Sequence, residues 1–324
     1  MAITLAEAKV GMSNKVDQTV IDEFQRSSLL MDMMTFDDAI SPGTGGSTLT
    51  YGYIQLDAPS TAAVRSINNE FSANEAKRIE KTAKAIIMGG AFEVDRVIQA
   101  TSGAVDEIAF QLSDKIKATT NQYHNLIING SSKATADTGY VHGTFDGLRK
   151  SMAAKQTFQS VTSIATASDM DSNYAAFLDE LEEMIAAVEG GADILLMNKK
   201  ALAKLRAIAR RAGYFGSDRD EFGRIVERYN DIPMMDAGIF YNGSTTVDVV
   251  ETDSTNKTTI YAVKLGIDAF HGISPMGGAS GLIHTYLPDL NAPGAVKRGE
   301  VELVAGAVLK NKLKAAMLTD IAVK

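Results

Sequence analysis

The feature that most constrains the fold is a join between two patterns, in the stretch KAIIMGGAFEVDRVIQA at residues 84–100. Residues before it alternate as in a pair of extended strands, and residues after it place apolar side chains at helical spacing. A strand ribbon that leads into a rod-like helix favours a building block over a protein organised around a pocket.

The predicted ribbon spans residues 48–88. In TLTYGYIQL, alternate side chains share one face of a strand, and the chain returns through a second strand after a tip of small residues. An isolated two-stranded ribbon is marginally stable in water, so we expect a neighbouring copy of the chain to cover it. The predicted contacts from the ribbon to that neighbour are Tyr51, Tyr53, Arg65 and Arg78.

Gly89 and Gly90 fall where the ribbon is predicted to rejoin the body. A glycine pair in a strand pattern marks a bulge, a bend or a close backbone approach, and we predict a hinge here. A long helix then follows over residues 102–129, with Ser102 as its N-cap and Gly130 as its stop. At 1.5 Å per residue it runs roughly 40 Å, which makes it the axis of a subdomain.

The sequence KVDQTVIDEFQRSSLLMDMM at residues 15–34 predicts a helix near the N-terminus. Two interpretations stay open. The helix packs on its own domain, or it is an arm that lies on a neighbouring subunit. On the second interpretation Phe24 contacts that neighbour.

A second block of the chain begins near Gly143 and predicts an α/β unit. It contains a helix, a short buried strand at residues 193–197 and a basic helix capped by Asn198. The apolar stripe of the first of these helices consists of Phe177, Leu181, Met184 and Val188. The last residues, AVKRGEVELVAGAVLKNKLKAAMLTDI, predict one long strand that returns to the first subdomain.

Composition narrows the classes of function. The 324 residues are 45% hydrophobic and 22% charged, as in a folded chain of two subdomains. The net charge of −8 opposes non-specific adhesion to DNA, and the lack of cysteine removes disulfides and thiolate metal sites. No signal peptide and no apolar run long enough to span a bilayer are present, which predicts a soluble protein made inside the cell.

No catalytic arrangement emerges from residue spacing. The four histidines lack metal-ligand spacing, and the glycine-rich stretch Gly43–Thr48 lacks the lysine of a phosphate loop. We therefore predict no catalytic residues, no cofactor, no metal and no enzyme activity. Because catalytic triads are geometric rather than sequential, an α/β enzyme stays open as an alternative.

The helix NKKALAKLRAIARR carries six cations and no acid. Contact with nucleic acid is one interpretation. Pairing with the neighbouring acidic helix or with another subunit is the one we favour, and the predicted contacts are Lys204 and Arg211.

The order of these elements resembles the major capsid proteins of tailed double-stranded DNA bacteriophages, which share the Hong-Kong-ninety-seven-type capsid fold. The resemblance covers nearly the whole chain. Its most specific stretches are GGADILLMNKKALAKLRAI, similar to the strand-to-helix step of the family's axial domain, and NDIPMM, similar to its proline turn. It implies an α+β fold with an N-terminal arm at 1–47, an extended β-hairpin loop at 48–88, a peripheral domain at 89–142 and 295–324 with a spine helix at 102–129, and an axial domain at 143–294.

The resemblance also implies a function. Such a chain assembles through hexamers and pentamers of itself, in the host cytoplasm, into the icosahedral shell of a virion around double-stranded DNA that it binds without sequence specificity. No N-terminal scaffolding segment of the kind some members carry is evident here. The expected partners are therefore a separate scaffolding protein, a portal protein and a decoration protein, with no membrane. An encapsulin-like compartment is the alternative with the same fold.

Overall fold

The computed structural model describes residues 29–38, 40, 49–58, 60–101, 106–133, 140–213, 215–219, 225–275 and 283–324. Its helices are α1 Leu29–Met33, α2 Arg96–Thr101, α3 Glu107–Asn129, α4 Leu148–Ser151, α5 Ala167–Ala186 and α6 Lys199–Ala212. Its strands are β1 Phe36–Asp37, β2 Thr50–Ala58, β3 Lys77–Lys84, β4 Ile86–Asp95, β5 Gly130–Ser131, β6 Val141–His142, β7 Thr157–Gln159, β8 Ile194–Met197, β9 Phe215–Arg219, β10 Ile225–Tyr229, β11 Ile232–Asp236, β12 Ile239–Tyr241, β13 Thr246–Asp248, β14 Lys257–Val263, β15 Phe270–Ile273, β16 Ile283–Tyr286, β17 Val296–Leu309 and β18 Ala315–Ala322.

A seven-stranded sheet runs in the order β7, β18, β14, β8, β11, β10, β9. Its central strand β8 is buried at all four positions, with Ile194 and Leu196 in one core and Leu195 and Met197 in the other. Successive side chains of a strand point to opposite faces, so this strand joins the two cores. The buried strand predicted at residues 193–197 is confirmed.

Helices α5 and α6 pack on one face of this sheet. The predicted stripe of α5 is buried throughout. Asn198 is the N-cap of α6, since its side-chain oxygen accepts the N–H of Ala201 at 2.9 Å. Its amide also donates to the carbonyl of Val250 and to the Thr258 hydroxyl, which ties the helix start to the chain leading into β14.

A second sheet, of five strands, is built around β17. The first ten residues of β17 pair antiparallel with β4, from Val296 opposite Asp95 to Ala305 opposite Ile86. On the other side β17 pairs with β16 and β15, and β1 lies parallel to β15. Helix α3 packs on β4 and β17, and its Tyr123 hydroxyl donates to the carbonyl of Gly306 at 2.8 Å.

The start of α3 differs from the prediction. The helix begins after Asp106, whose carboxylate accepts the N–H of Ala109 at 3.2 Å. Aspartate is as good an N-cap as serine, so two candidate caps compete in this stretch and the later one starts α3. The predicted cap Ser102 lies outside the described residues.

The C-terminal segment forms two strands, so the prediction of one long strand is wrong. β17 ends at Leu309, and β18 pairs with β14 and β7 in the seven-stranded sheet. Asn311 builds the turn between them, because its side chain accepts the N–H of Leu313 and its carbonyl accepts the N–H of Lys314. Both segments are rich in apolar residues, so the sequence pattern does not reveal that the chain changes sheets.

Gly89 and Gly90 lie inside β4, opposite Glu302 and Val301 of β17. A Cβ on Gly89 would lie 1.9 Å from the carbonyl oxygen of Val301. Close backbone approach therefore explains this glycine. The ribbon meets the body at Ala85, between β3 and β4, so the predicted hinge position is wrong.

Candidate assembly surface

The ribbon consists of β2 and β3, which pair antiparallel from Thr50 opposite Lys84 to Ala58 opposite Lys77. Residues 60–76 connect the two strands without helix or strand of their own. We call residues 50–56 and 78–84 the ribbon root, and residues 60–76 the ribbon tip. One face of the root is buried against the body, whereas the tip is exposed.

One face of the ribbon root lies on the chain's own body. Tyr51 is 6% exposed, and its hydroxyl donates to Asp37 Oδ2 at 2.8 Å. The Tyr51 ring meets the His271 ring edge-on with centroids 5.8 Å apart, and Lys310 Nζ lies 5.3 Å from the same ring centroid. Gln55 donates to the carbonyl of Lys310 at 2.6 Å. The root is thus docked on β1, β15 and the end of β17.

The prediction that Tyr51 contacts a neighbouring subunit is therefore wrong, because its own chain buries it. Tyr53 is half-buried beside it, with ring centroids 6.1 Å apart, and burial raises the pKa of Tyr53. Strand alternation groups these side chains on one face but does not say which body covers that face. The opposite face, with Ile54 and Leu56, is exposed.

The ribbon tip carries uncovered apolar side chains. Val64, Ile67 and Phe71 are 101%, 89% and 60% exposed. Arg65 organises the tip locally, since its guanidinium donates to the carbonyl of Asn69 at 3.1 Å and lies 5.4 Å from the Phe71 ring centroid. A grouped set of exposed apolar side chains on one excursion marks an interaction surface more often than scattered ones do.

The basic helix α6 is paired within the chain. Arg211 Nε lies 2.6 Å from Asp171 Oδ1 of α5, and Lys204 Nζ donates to the carbonyl of Ala165 at 2.5 Å. The Arg211 pair is the local contact with α5 that one interpretation expects, and contact of Lys204 and Arg211 with another subunit stays a prediction. Arg78 is an exposed residue opposite Leu56 on the ribbon root.

Other predicted features do not converge on a chemical site. Phe24 and the glycine-rich stretch Gly43–Thr48 lie outside the described residues. Within the described ranges, no group of three or more His, Asp or Glu side chains is placed to hold a metal ion. None of the described helices is long and apolar enough to cross a membrane.

Two buried histidines carry signals that sequence patterns missed. Burial lowers the pKa of His124 and of His271 to about 4. Within the described ranges the His124 ring has no hydrogen-bond partner. His124 is on α3 and His271 is on β15, beside the Tyr51 ring.

The fold defined by these elements, an exposed ribbon, a long helix across a sheet and an α/β unit on a second sheet, is the Hong-Kong-ninety-seven-type capsid fold. No model of a known protein family matches the sequence, and no curated protein matches it. Solved structures of similar fold do match. The holo-SrpI encapsulin complex from Synechococcus elongatus PCC 7942 aligns at a TM-score of 0.64 and 15% identity over 100% of this chain and 98% of its own.

Phage structures align over the same extent. The capsid of Myoviridae phage XM1 aligns at a TM-score of 0.61 and 13% identity, over 99% of each chain. A chain of Mycobacterium phage Bobi aligns at 0.59 and 13% identity, over 98% of this chain and 99% of its own. These alignments run nearly from end to end in both directions, so the likeness concerns a whole architecture and not one shared motif.

Proposed function

We propose that the chain is the structural subunit of a phage capsid, a major capsid protein without enzymatic activity that assembles through hexamers and pentamers into an icosahedral shell. The observation that carries this proposal is the ribbon tip, whose apolar side chains are largely exposed in the part of the chain that the structure describes. A shell supplies that cover, because each subunit is surrounded by copies and a projecting ribbon reaches them without enlarging the body.

The fold supports the same proposal. Its likeness to the capsid of phage XM1 extends over 99% of each chain. We further propose the arm at 1–47, the extended loop at 48–88, the peripheral domain at 89–142 with 295–324 and the axial domain at 143–294 as assembly units. The last strand β18 qualifies this division, because it pairs with β14 of the axial range.

The proposed partners follow from a shell that is filled with DNA. They are a scaffolding protein, a portal protein and a decoration protein, with assembly in the host cytoplasm. A net charge of −8 suits a container in which packaged double-stranded DNA moves freely, since a lumen dense in Lys and Arg would hold phosphates through counterion release.

The test is expression of the full chain with and without a candidate scaffolding protein, followed by sedimentation and negative-stain electron microscopy. Closed shells or ring-shaped capsomers are the expected result. A protein that stays monomeric under both conditions at micromolar concentration contradicts the proposal.

A second candidate is an encapsulin-like compartment, which the likeness to the holo-SrpI encapsulin favours. The same preparation separates the two. Closed shells formed by the chain alone, which retain a co-expressed cellular protein inside them, indicate a compartment. Shells that close only with a scaffolding protein and then take up DNA indicate a capsid.

A further inference from the structure

A cavity of about 470 Å³ lies where the ribbon root meets the body. Its lining comes from β3 of the ribbon, from the segment between β6 and α4, and from the turn after β17. The cavity therefore touches both the ribbon and the parts of the chain that hold it. This volume is in the range of roughly 300–1,000 Å³ that is usual for small-ligand sites.

Four lysines and one acid line this cavity: Lys81, Lys84, Lys150, Lys312 and Asp146. Asp146 is already engaged, because its Oδ1 accepts the N–H of Ser132 at 2.8 Å and lies 3.8 Å from Lys150 Nζ. Lys150 also donates to the Ser131 hydroxyl. Asp146 is the only carboxylate among the lining residues, and it is paired with Lys150, one of the four lysines.

The side-chain ammonium groups of the other three lysines have no ion pair or hydrogen bond in the part of the chain that the structure describes. Two of them, Lys81 and Lys312, are partly buried, and Lys84 is exposed. All three lysines contribute to the lining of one cavity, where like charges disfavour one another. Partial burial also deprives the ammonium groups of Lys81 and Lys312 of some of their hydration. This concentration of positive charge stands out in a chain whose net charge is −8.

We propose that this cavity binds a small multivalent oxyanion of the phosphate class, which bridges the ribbon root to the body. Lys81 and Lys84 contact the anion from the ribbon, and Lys312 contacts it from the turn between β17 and β18. Ammonium groups bind phosphate oxygens through charge-assisted hydrogen bonds. The bound anion stabilises the ribbon in its docked position. The inference does not depend on whether the chain forms shells.

The test is a titration of the purified full-length chain with inorganic phosphate and with pyrophosphate, at constant ionic strength in sodium chloride. Thermal unfolding and hydrogen exchange of backbone amides are measured together. The expected result is a saturable rise in Tm, tighter binding of pyrophosphate than of phosphate, and slower exchange in β2 and β3.

The variant K84Q/K312Q removes two of the charges. We expect its Tm in chloride to be equal to or above that of the wild type, since repulsion is relieved, and its apparent affinity for phosphate to fall about tenfold or more. K81Q alone moves the affinity in the same direction, and serves if the double variant does not fold.

The matched control is K155Q/K200Q, which removes two exposed lysines outside the cavity. It is expected to bind phosphate as the wild type does. Phosphate also stabilises proteins by exclusion from their surface. An equal, non-saturating Tm rise in the wild type, K84Q/K312Q and K155Q/K200Q therefore overturns the proposal. Unchanged exchange in β2 and β3 at saturating phosphate overturns it as well.

Discussion

At the scale of single residues, Gly89 is the position where one added methyl group matters most. In the variant Gly89→Ala the new Cβ would lie 1.9 Å from the carbonyl oxygen of Val301, so β4 and β17 have to separate. Because ten residue pairs join β4 and β17 in the five-stranded sheet, we expect a loss of about 3 kcal/mol or more in the free energy of unfolding. Urea denaturation of purified protein measures it.

Gly90→Ala is the matched control, one residue along the same strand. Its new Cβ would lie 3.1 Å from Cδ of Lys115, a flexible side chain that can move aside. We expect a loss of no more than about 1 kcal/mol. Equal losses in the two variants would show that the close approach of β17 does not explain Gly89.

His124 predicts a dependence of stability on pH. Burial lowers its folded-state pKa to about 4 from the ordinary histidine value of 6.5. Between these values the unfolded chain binds a proton that the folded chain does not, so stability is present above pH 6.5 and is lost as the pH falls to about 4. The shift corresponds to about 3 kcal/mol.

Urea denaturation at about pH 7 and about pH 4 tests this. The variant His124→Gln is expected to lose about 3 kcal/mol less than the wild type between the two conditions. His142→Gln, at a partly buried position, is the control. If His124→Gln and the wild type lose stability equally, the buried imidazole is not the source of the acid sensitivity.

At the scale of elements, the docking of β2 on β1 and β15 depends on the Tyr51 hydroxyl. Tyr51→Phe keeps the ring against His271 but removes the hydrogen bond to Asp37, which leaves a carboxylate oxygen without this donor. We expect a loss of about 1–2 kcal/mol and faster hydrogen exchange in β2 and β3. Exchange measured by mass spectrometry locates the change.

Tyr53→Phe serves as the control, since the Tyr53 hydroxyl has no hydrogen bond within the described ranges. Its exchange in the ribbon is expected to match that of the wild type. Unchanged exchange in Tyr51→Phe would mean that the root is held by the remaining contacts, among them the Gln55 bond to Lys310.

At the scale of the whole molecule, the ribbon tip should matter for assembly and not for folding. The triple variant Val64→Ser, Ile67→Ser, Phe71→Ser removes the exposed apolar side chains of the tip. Because they contact little of their own chain, we expect the free energy of unfolding to change by no more than about 0.5 kcal/mol per site. Closed shells are expected to be lost, as seen by sedimentation and electron microscopy.

Val161→Ser is the control for the loss of an exposed apolar side chain on the body, where Val161 is 89% exposed. It is expected to assemble normally. Shells formed by the triple variant in wild-type yield would refute the role of the tip. Deletion of the entire ribbon is a poorer test, because Tyr51 of the root packs with Ile273, Val304 and Val308 in one of the buried clusters of the body.

The local elements were predictable because their signals lie between near neighbours in the chain. The stripe of α5, the all-apolar strand β8 and the Asn198 cap depend on residues a few positions apart, and each is present. The order of these elements also sufficed to predict the capsid fold. Periodicity and capping are properties of short stretches, so a sequence states them directly.

The remaining features needed the tertiary structure, because they join residues that are distant in the chain. Tyr51 meets His271 and Lys310 only once the strands have paired, so no local pattern indicates which face of the ribbon its own body covers. The lysines of the cavity come from separate elements in the same way. Alternation and spacing describe one element at a time, whereas burial, close approach and charge clustering are set by the neighbours that folding brings together.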